Sequence, residues 1–161
     1  MKRLLLLRHG EAEPAGAAAS DFERALTPHG RDQALQAAHR LRHAHCVPAT
    51  ILASPALRAR ETATIVAALL TRLQTLHYEA SAYPGSPEAL LQLLGALPEG
   101  IESLLLVGHN PGLSTLVRRF SASVGPIAAE PHELSTGGLC RIGLSSWSSI
   151  ESGVTDVTLL S

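Results

Sequence analysis

Aromatic residues are scarce in this sequence: two Phe, two Tyr and one Trp make up 3% of 161 residues. The core must therefore be assembled from Leu, Ala, Val and Ile, and no aromatic platform exists for stacking nucleobases. Charge of one sign is lacking too. With 13 Lys and Arg against 14 Asp and Glu, the formal net charge is −1, and no long basic or acidic block draws the chain to nucleic acid or a membrane surface. A neutral total still leaves room for a small positive pocket. The two cysteines, Cys46 and Cys140, are too far apart for a metal or redox spacing and are read as reduced thiols of a cytosolic protein. Long apolar runs are missing as well. Leu4 to Leu7 is interrupted by Arg8 and His9, too short for the apolar region of a signal peptide, and no stretch reaches the length of a bilayer span. The sequence predicts a cytoplasmic protein with neither a membrane nor a nucleic-acid partner.

What is present is the pattern of one globular domain covering residues 1–161, long enough to bury a core. There is no internal repeat, low-complexity tract or dividing linker. Leu4 to Leu7, Ile51 to Ala53 and Leu104 to Val107 have the continuous apolar character of strands buried on both faces. Helical spacing fills the segments between them. Pro28 to His43 places Ala34, Leu35, Ala38, Leu41 and Arg42 along a core-facing side, and Pro55 to Leu70 and Pro87 to Leu97 are similar. Thr27-Pro28, Ser54-Pro55, Ser86-Pro87 and Asn110-Pro111 each put a capping side chain before a proline at the first helical position. Leu139 to Leu144 and Val154 to Leu160 read as two further strands joined by a Ser-rich hairpin loop. The alternation predicts a three-layer α/β/α sandwich with a mostly parallel central sheet.

The apolar runs end in Arg8-His9-Gly10, Ser54-Pro55 and Gly108-His109-Asn110-Pro111. Ligands of open parallel sheets bind at the carboxyl ends of strands. If these strands are neighbours, their tips bring His9, His109 and Arg8 together, with Arg58 one turn into the following helix. That set suits a phosphoryl group. Arg8 and Arg58 offer planar forks of N–H donors, and Gly10 lets the backbone pass close to the bound group. A neutral His9, with its second ring nitrogen held as a donor, can attack phosphorus. The arginines disfavour its imidazolium form. A protonated His109 could bind the equatorial oxygens and stabilise charge in the transition state. The scheme calls for no metal or other cofactor.

The segment Leu7-Arg8-His9-Gly10-Glu11-Ala12 resembles the first motif of the histidine phosphatase superfamily. Ser54-Pro55-Ala56-Leu57-Arg58-Ala59-Arg60-Glu61-Thr62-Ala63 is similar to its second, which supplies an arginine, and Val107-Gly108-His109-Asn110-Pro111 to its third, which supplies a histidine. The stretch Asp21 to Gly30 also matches. The resemblance implies a phosphoglycerate mutase-like fold and a catalytic set of His9, Arg8, Arg58 and His109. Arg24 would reach the phosphate from a loop, with Gly10 and Asn110 contributing to phosphate binding. The short chain looks most like the small bacterial branch that acts on phosphohistidine in proteins. That implies a histidine-phosphorylated partner, for which a phosphotransfer domain of a histidine kinase is a natural candidate.

Many relatives also supply a carboxylic acid for an alkoxide leaving group. Here Glu79 and Glu88 are candidates only by proximity. An imidazole leaving group lowers the demand for such an acid, which favours phosphohistidine. The alternatives are a monoesterase acting on a small phosphorylated metabolite and, in another class, a phosphate-binding module without turnover. Plainer roles fit the remaining features. His39, Arg40, Arg42, His43 and His45 read as a solvated helix face, since no metal-site pattern is completed. Glu11 orients its loop, Ser135 to Gly138 forms a turn whose amides could face the phosphate, and Trp147 packs near the last hairpin.

Overall fold

In the computed structural model, residues 1–70, 72–125 and 133–161 are described. The strands are β1 (Lys2–Arg8), β2 (Thr50–Ala53), β3 (Thr75–Tyr78), β4 (Ser103–Gly108), β5 (Leu139–Leu144) and β6 (Val154–Leu160). The helices are α1 (Pro28–His43), α2 (Leu57–Leu69), α3 (Pro87–Gly95) and α4 (Gly112–Ser123). The strands form one sheet in the order β3-β2-β4-β1-β5-β6. β3, β2, β4 and β1 run parallel; β5 is antiparallel to β1, and β6 to β5. The mostly parallel sandwich expected from the sequence is the architecture found.

Side-chain alternation explains why the strand sequences are apolar without a break. Leu5, Leu7, Ile51, Ala53, Leu105 and Val107 lie in one core layer with Ala37, Ala38 and Leu41 of α1 and Ala59, Ala63 and Val66 of α2. Leu4, Leu6, Leu52, Leu104 and Leu106 lie in the other, with residues of α3 and α4. A strand covered on both faces needs apolar residues at every position. All four leucines of Leu4 to Leu7 are fully buried, each contributing about 1.5–3 kcal/mol of hydrophobic stabilisation.

The core face of α1 differs by one position from the expected one. Ala34, Ala37, Ala38 and Leu41 are buried, whereas Leu35 is 38% exposed and Arg42 is exposed. The buried set follows the i, i+3, i+4, i+7 stripe, and Leu35 and Arg42 each sit one residue beyond it, about 100° around the helix. Four small or medium side chains suffice because α2 presents alanines in return. Strand β3 escaped the sequence reading because Thr75–Tyr78 is a short, largely exposed strand at the sheet edge.

Two of the four Xaa-Pro devices cap helices as expected. Thr27 Oγ1 accepts from Gly30 N at 2.9 Å, and Ser86 Oγ from Ala89 N at 3.1 Å. The other two do not. α2 starts at Leu57 and α4 at Gly112, and neither has a side-chain cap. Ser54 and Asn110 lie further back, at strand tips, where Ser54 Oγ accepts from Ala56 N at 3.2 Å and Asn110 Oδ1 from Ser114 N at 3.2 Å. No helix among the described residues is long and apolar enough to cross a membrane.

Candidate active site

Strand order decides which tips meet. β4 lies between β1 and β2, so their carboxyl ends are adjacent. His9 N donates to Gly108 O at 3.1 Å and Ser54 N to Val107 O at 3.0 Å. The tips thus bring Arg8, His9, Ser54 and His109 to one edge, and the first turn of α2 adds Arg58. His9, Arg58 and His109 are buried to 8%, 6% and 6% exposure, and Ser54 is fully buried. The four residues expected to form the catalytic set do converge.

His9 is held in one tautomer. Its Nδ1 lies 2.7 Å from Gly10 O, and a carbonyl can only accept, so Nδ1 carries the proton and Nε2 keeps a lone pair. Arg58 Nε donates to that Nε2 at 3.3 Å. Burial, followed by the charges of Arg58, Arg8 and Arg24, pushes the imidazole pKa down to about 4; the Gly10 hydrogen bond opposes this shift. His9 is therefore neutral at pH 7.

Gly10 is also engaged within the protein. Its N–H donates to Thr62 Oγ1 at 3.1 Å, so that amide is not free for a phosphate. Thr62 Oγ1 in turn donates to Arg58 O at 2.7 Å, which ties the His9 loop to α2. Glycine is required because a Cβ there would run into the carbonyl oxygen of Gly30 on α1.

His109 lies across from His9, with ring centroids 5.0 Å apart and planes inclined at 57°. Its Nε2 is 2.7 Å from Ser54 Oγ, and its Nδ1 is buried without a partner among the described residues. Burial above all, then His9 and Arg58, lowers the pKa to about 3, against an opposing pull from Asp21. His109 is thus neutral at pH 7, so the protonated form considered from the sequence is not its resting state. A phosphoryl dianion beside it acts in the opposite direction and favours protonation.

The arginines meet a carboxylate that the sequence reading did not single out. Asp21 sits in a single 3-10 turn (Asp21–Glu23). Arg58 Nη2 donates to Asp21 Oδ2 at 3.1 Å and Arg58 Nη1 to Asp21 O at 2.8 Å. Arg24 Nε donates to Asp21 Oδ1 at 2.9 Å, and its Nη1 to Glu13 O at 2.7 Å. The Tyr83 hydroxyl donates to Asp21 Oδ2 at 2.7 Å. Tyr83, then Arg24 and Arg58, hold the Asp21 carboxyl far below the usual carboxylate range. Arg8 Nη1 donates to Leu134 O at 3.1 Å, and its Nε is buried without a partner among the described residues.

Tyr83 also meets His109 edge-on, with centroids 5.4 Å apart, and packs against Phe22 at 5.2 Å. A second glycine contact brings its loop there: a Cβ on Gly112, at the start of α4, would collide with the Gly85 carbonyl. Asp21 and Tyr83 carry no motif of their own. The available signals were the Asp21/Arg24 spacing on a short turn and a tyrosine two residues before Gly85 in an aromatic-poor chain.

The other expected residues divide plainly. Asn110 is at the site, but Nδ2 donates to Leu134 O at 2.7 Å and Oδ1 accepts from Ser114 N and Oγ. Its Oδ1 and one Nδ2–H are therefore engaged within the protein, which makes it an anchor of its loop with one N–H left to donate. Glu88 is exposed and pairs with Arg119 at 2.6 Å, which lowers its pKa and makes it a poorer acid. Glu79 follows β3, its N–H donating to Ala53 O at 2.9 Å. Glu11 Oε1 accepts from Thr27 Oγ1 at 3.0 Å and steadies its loop. Ser135 to Gly138 forms the expected turn, with the Gly137 amide directed at the carbonyls of Arg8 and His9. His39, His43 and His45 are exposed. Among the described residues, no three or more His, Cys, Asp or Glu are grouped to hold a metal. Trp147 is fully buried, its Nε1 donating to Ile101 O at 2.7 Å.

The chain resembles known proteins in sequence and in fold. The histidine phosphatase superfamily (branch 1) pattern matches residues 4–80. An uncharacterized protein of Picosynechococcus sp. (strain ATCC 27264 / PCC 7002 / PR-6) is 37% identical over 113 residues, covering 68% of this chain and 67% of that one. Among solved structures, the protein histidine phosphatase SixA in complex with tungstate is 28% identical, with a TM-score of 0.78 and coverage of 98% and 96% of the two chains. SixA of Agrobacterium tumefaciens is also 28% identical, with a TM-score of 0.78 and coverage of 98% and 97%. SixA of Nakamurella multipartitia shares the fold at 23% identity, with a TM-score of 0.79 and coverage of 98% and 95%.

Proposed function

The chain belongs to the histidine phosphatase superfamily, and on that premise we propose that it hydrolyses phosphohistidine on a partner protein through a phosphoenzyme at His9. The observation that carries the reading is the His9 tautomer: Nδ1–H is given to Gly10 O and the Nε2 lone pair is presented beside Arg58. A nucleophile that is neutral at working pH and fixed in orientation has no proton to lose before it attacks.

In the first step, Nε2 of His9 forms a bond to phosphorus as the bond from phosphorus to the substrate imidazole nitrogen breaks. The released imidazole takes a proton from solvent. In the second step, water attacks phosphorus from the vacated side. The P–Nε2 bond then breaks, releasing inorganic phosphate and restoring His9. Arg8 and Arg58 supply fixed positive charge to the phosphoryl oxygens, Arg24 stands behind them through Asp21, and His109 is the remaining donor. We infer that no metal takes part, because these arginines provide the charge neutralisation that a metal ion would otherwise supply.

Two findings support phosphohistidine over a small phosphate ester. The 28%-identical solved relative is a protein histidine phosphatase, and Glu88, one of the two candidate acids, is held ionised by Arg119. An imidazole leaves without the dedicated acid that an alkoxide needs. The test is to incubate the protein, with EDTA present, with a histidine-phosphorylated phosphotransfer domain and separately with para-nitrophenyl phosphate. Rapid phosphohistidine loss that His9→Ala abolishes is the expected result. Ready turnover of the aryl ester with the phosphoprotein untouched would transfer the assignment to a small-molecule monoesterase.

A further inference from the structure

We propose that Ser54 is a positioning residue that fixes the tautomer of His109, so that His109 offers an N–H donor through Nδ1 while His9 offers a lone pair through Nε2. Ser54 was expected to cap α2, yet the helix starts three residues later, at Leu57. Its side chain is instead enclosed between the start of α2 and His109. A serine hydroxyl has one proton to give and two lone pairs. Ala56 N–H donates to Ser54 Oγ at 3.2 Å, which uses one lone pair. His109 Nε2 lies 2.7 Å from the same oxygen and is the one partner among the described residues that could accept the hydroxyl proton.

With Ser54 donating, Nε2 is unprotonated and the single proton of the neutral imidazole resides on Nδ1. The reverse arrangement leaves the proton of a fully buried hydroxyl without an acceptor among the described residues. It also leaves a buried Nδ1 lone pair in a site built for an anion, where a lone pair repels phosphoryl oxygens. The first arrangement leaves one unsatisfied group, a buried Nδ1–H. A donor of that kind is relieved by an acceptor oxygen.

The two histidines, 5.0 Å apart, are therefore set in opposite senses. A backbone carbonyl, which can only accept, makes Nε2 of His9 the base. A hydroxyl already accepting from Ala56 makes Nδ1 of His109 the donor. The role given to this donor, binding a phosphoryl oxygen, rests on the proposed function; the tautomer itself does not.

The test uses the full chain labelled with 15N-histidine. Long-range 1H–15N spectra at pH 7 are recorded for the wild type, Ser54→Ala and Ser54→Thr, with His109→Gln to assign the resonances. Orthophosphate affinity is measured on the same samples. The wild type is expected to show a protonated Nδ1 and an unprotonated Nε2 on His109. Ser54→Ala is expected to lose that preference and to bind orthophosphate about tenfold more weakly, the scale of one hydrogen bond to a charged group. Ser54→Thr, which keeps the hydroxyl, restores both. A wild-type His109 protonated on Nε2 overturns the proposal, as does a Ser54→Ala protein with unchanged tautomer or affinity. If Ser54→Ala fails to fold, the wild-type spectrum alone decides. Because neither readout uses turnover, failure of the phosphohistidine assignment would be seen separately.

Discussion

Asp21 Oδ2 accepts from Arg58 Nη2 at 3.1 Å, so a carboxylate of the protein is already seated on a guanidinium that would hold the phosphoryl group. It also takes the Tyr83 hydroxyl and the Arg24 guanidinium, linking its own loop to α2 and to the loop of Tyr83 through one side chain. A dianion arriving at Arg58 is repelled by this charge while using the arginine that the charge has oriented. Asp21→Asn keeps the shape and one of the two acceptor oxygens, replaces the other by an NH2 group, and removes the charge that repels the dianion. The variant is expected to bind orthophosphate roughly tenfold more tightly, a shift of about 1.4 kcal/mol, as measured by product inhibition. Weaker phosphate binding would show that orientation of Arg58 outweighs repulsion.

The pH dependence follows from two buried neutral histidines. His9 has a folded-state pKa of about 4 and His109 one of about 3, against 6.5 unperturbed. Below pH 6.5 the unfolded chain takes up protons that the folded protein refuses, so stability falls with pH. Above 6.5 both states are neutral at these positions and the contribution is flat. Each histidine is expected to lower unfolding free energy by about 1.4 kcal/mol per pH unit between 6.5 and its folded pKa. Urea denaturation at pH 7, 6 and 5 reads the slope, and His109→Gln should remove one histidine's share. An unchanged slope in that variant would contradict the assigned burial.

Gly10 is predicted to be intolerant of even a methyl group. Its Cβ would overlap the Gly30 carbonyl, and neither backbone can yield without moving the His9 loop or the start of α1. Gly10→Ala is expected to cost about 1–3 kcal/mol of stability, as overpacking does, and to reduce kcat by displacing the carbonyl that holds His9 Nδ1. Thermal unfolding and turnover together check this. A variant of normal stability and activity would mean that the loop has slack.

Much of the fold was legible because its central strands are buried on both faces, and two-sided burial writes itself into sequence as unbroken apolar runs such as Leu4 to Leu7. The edge strand Thr75–Tyr78 lacks that signal because little of it is buried. His9, Arg8, Arg58 and His109 were legible because they sit at strand tips or one turn beyond, where topology alone brings them together. Asp21 and Tyr83 were not, since both reach the site from irregular loops whose paths depend on the close approaches at Gly10/Gly30 and Gly85/Gly112. Ser54 and Asn110 were visible but only half read. Each precedes a proline and does accept a backbone N–H near the following helix start, yet each also reaches a second partner, His109 or Leu134, that the cap pattern does not announce.

The most direct measurement is to trap the intermediate. Rapid acid-free quenching of a reaction between the protein and a 32P-phosphohistidine substrate, followed by peptide mapping, would locate the label. The account predicts an alkali-stable, acid-labile phosphate on Nε2 of His9, absent from His9→Ala, which should also be inactive. Label on any other residue, or turnover that persists in His9→Ala with no labelled enzyme, would contradict it.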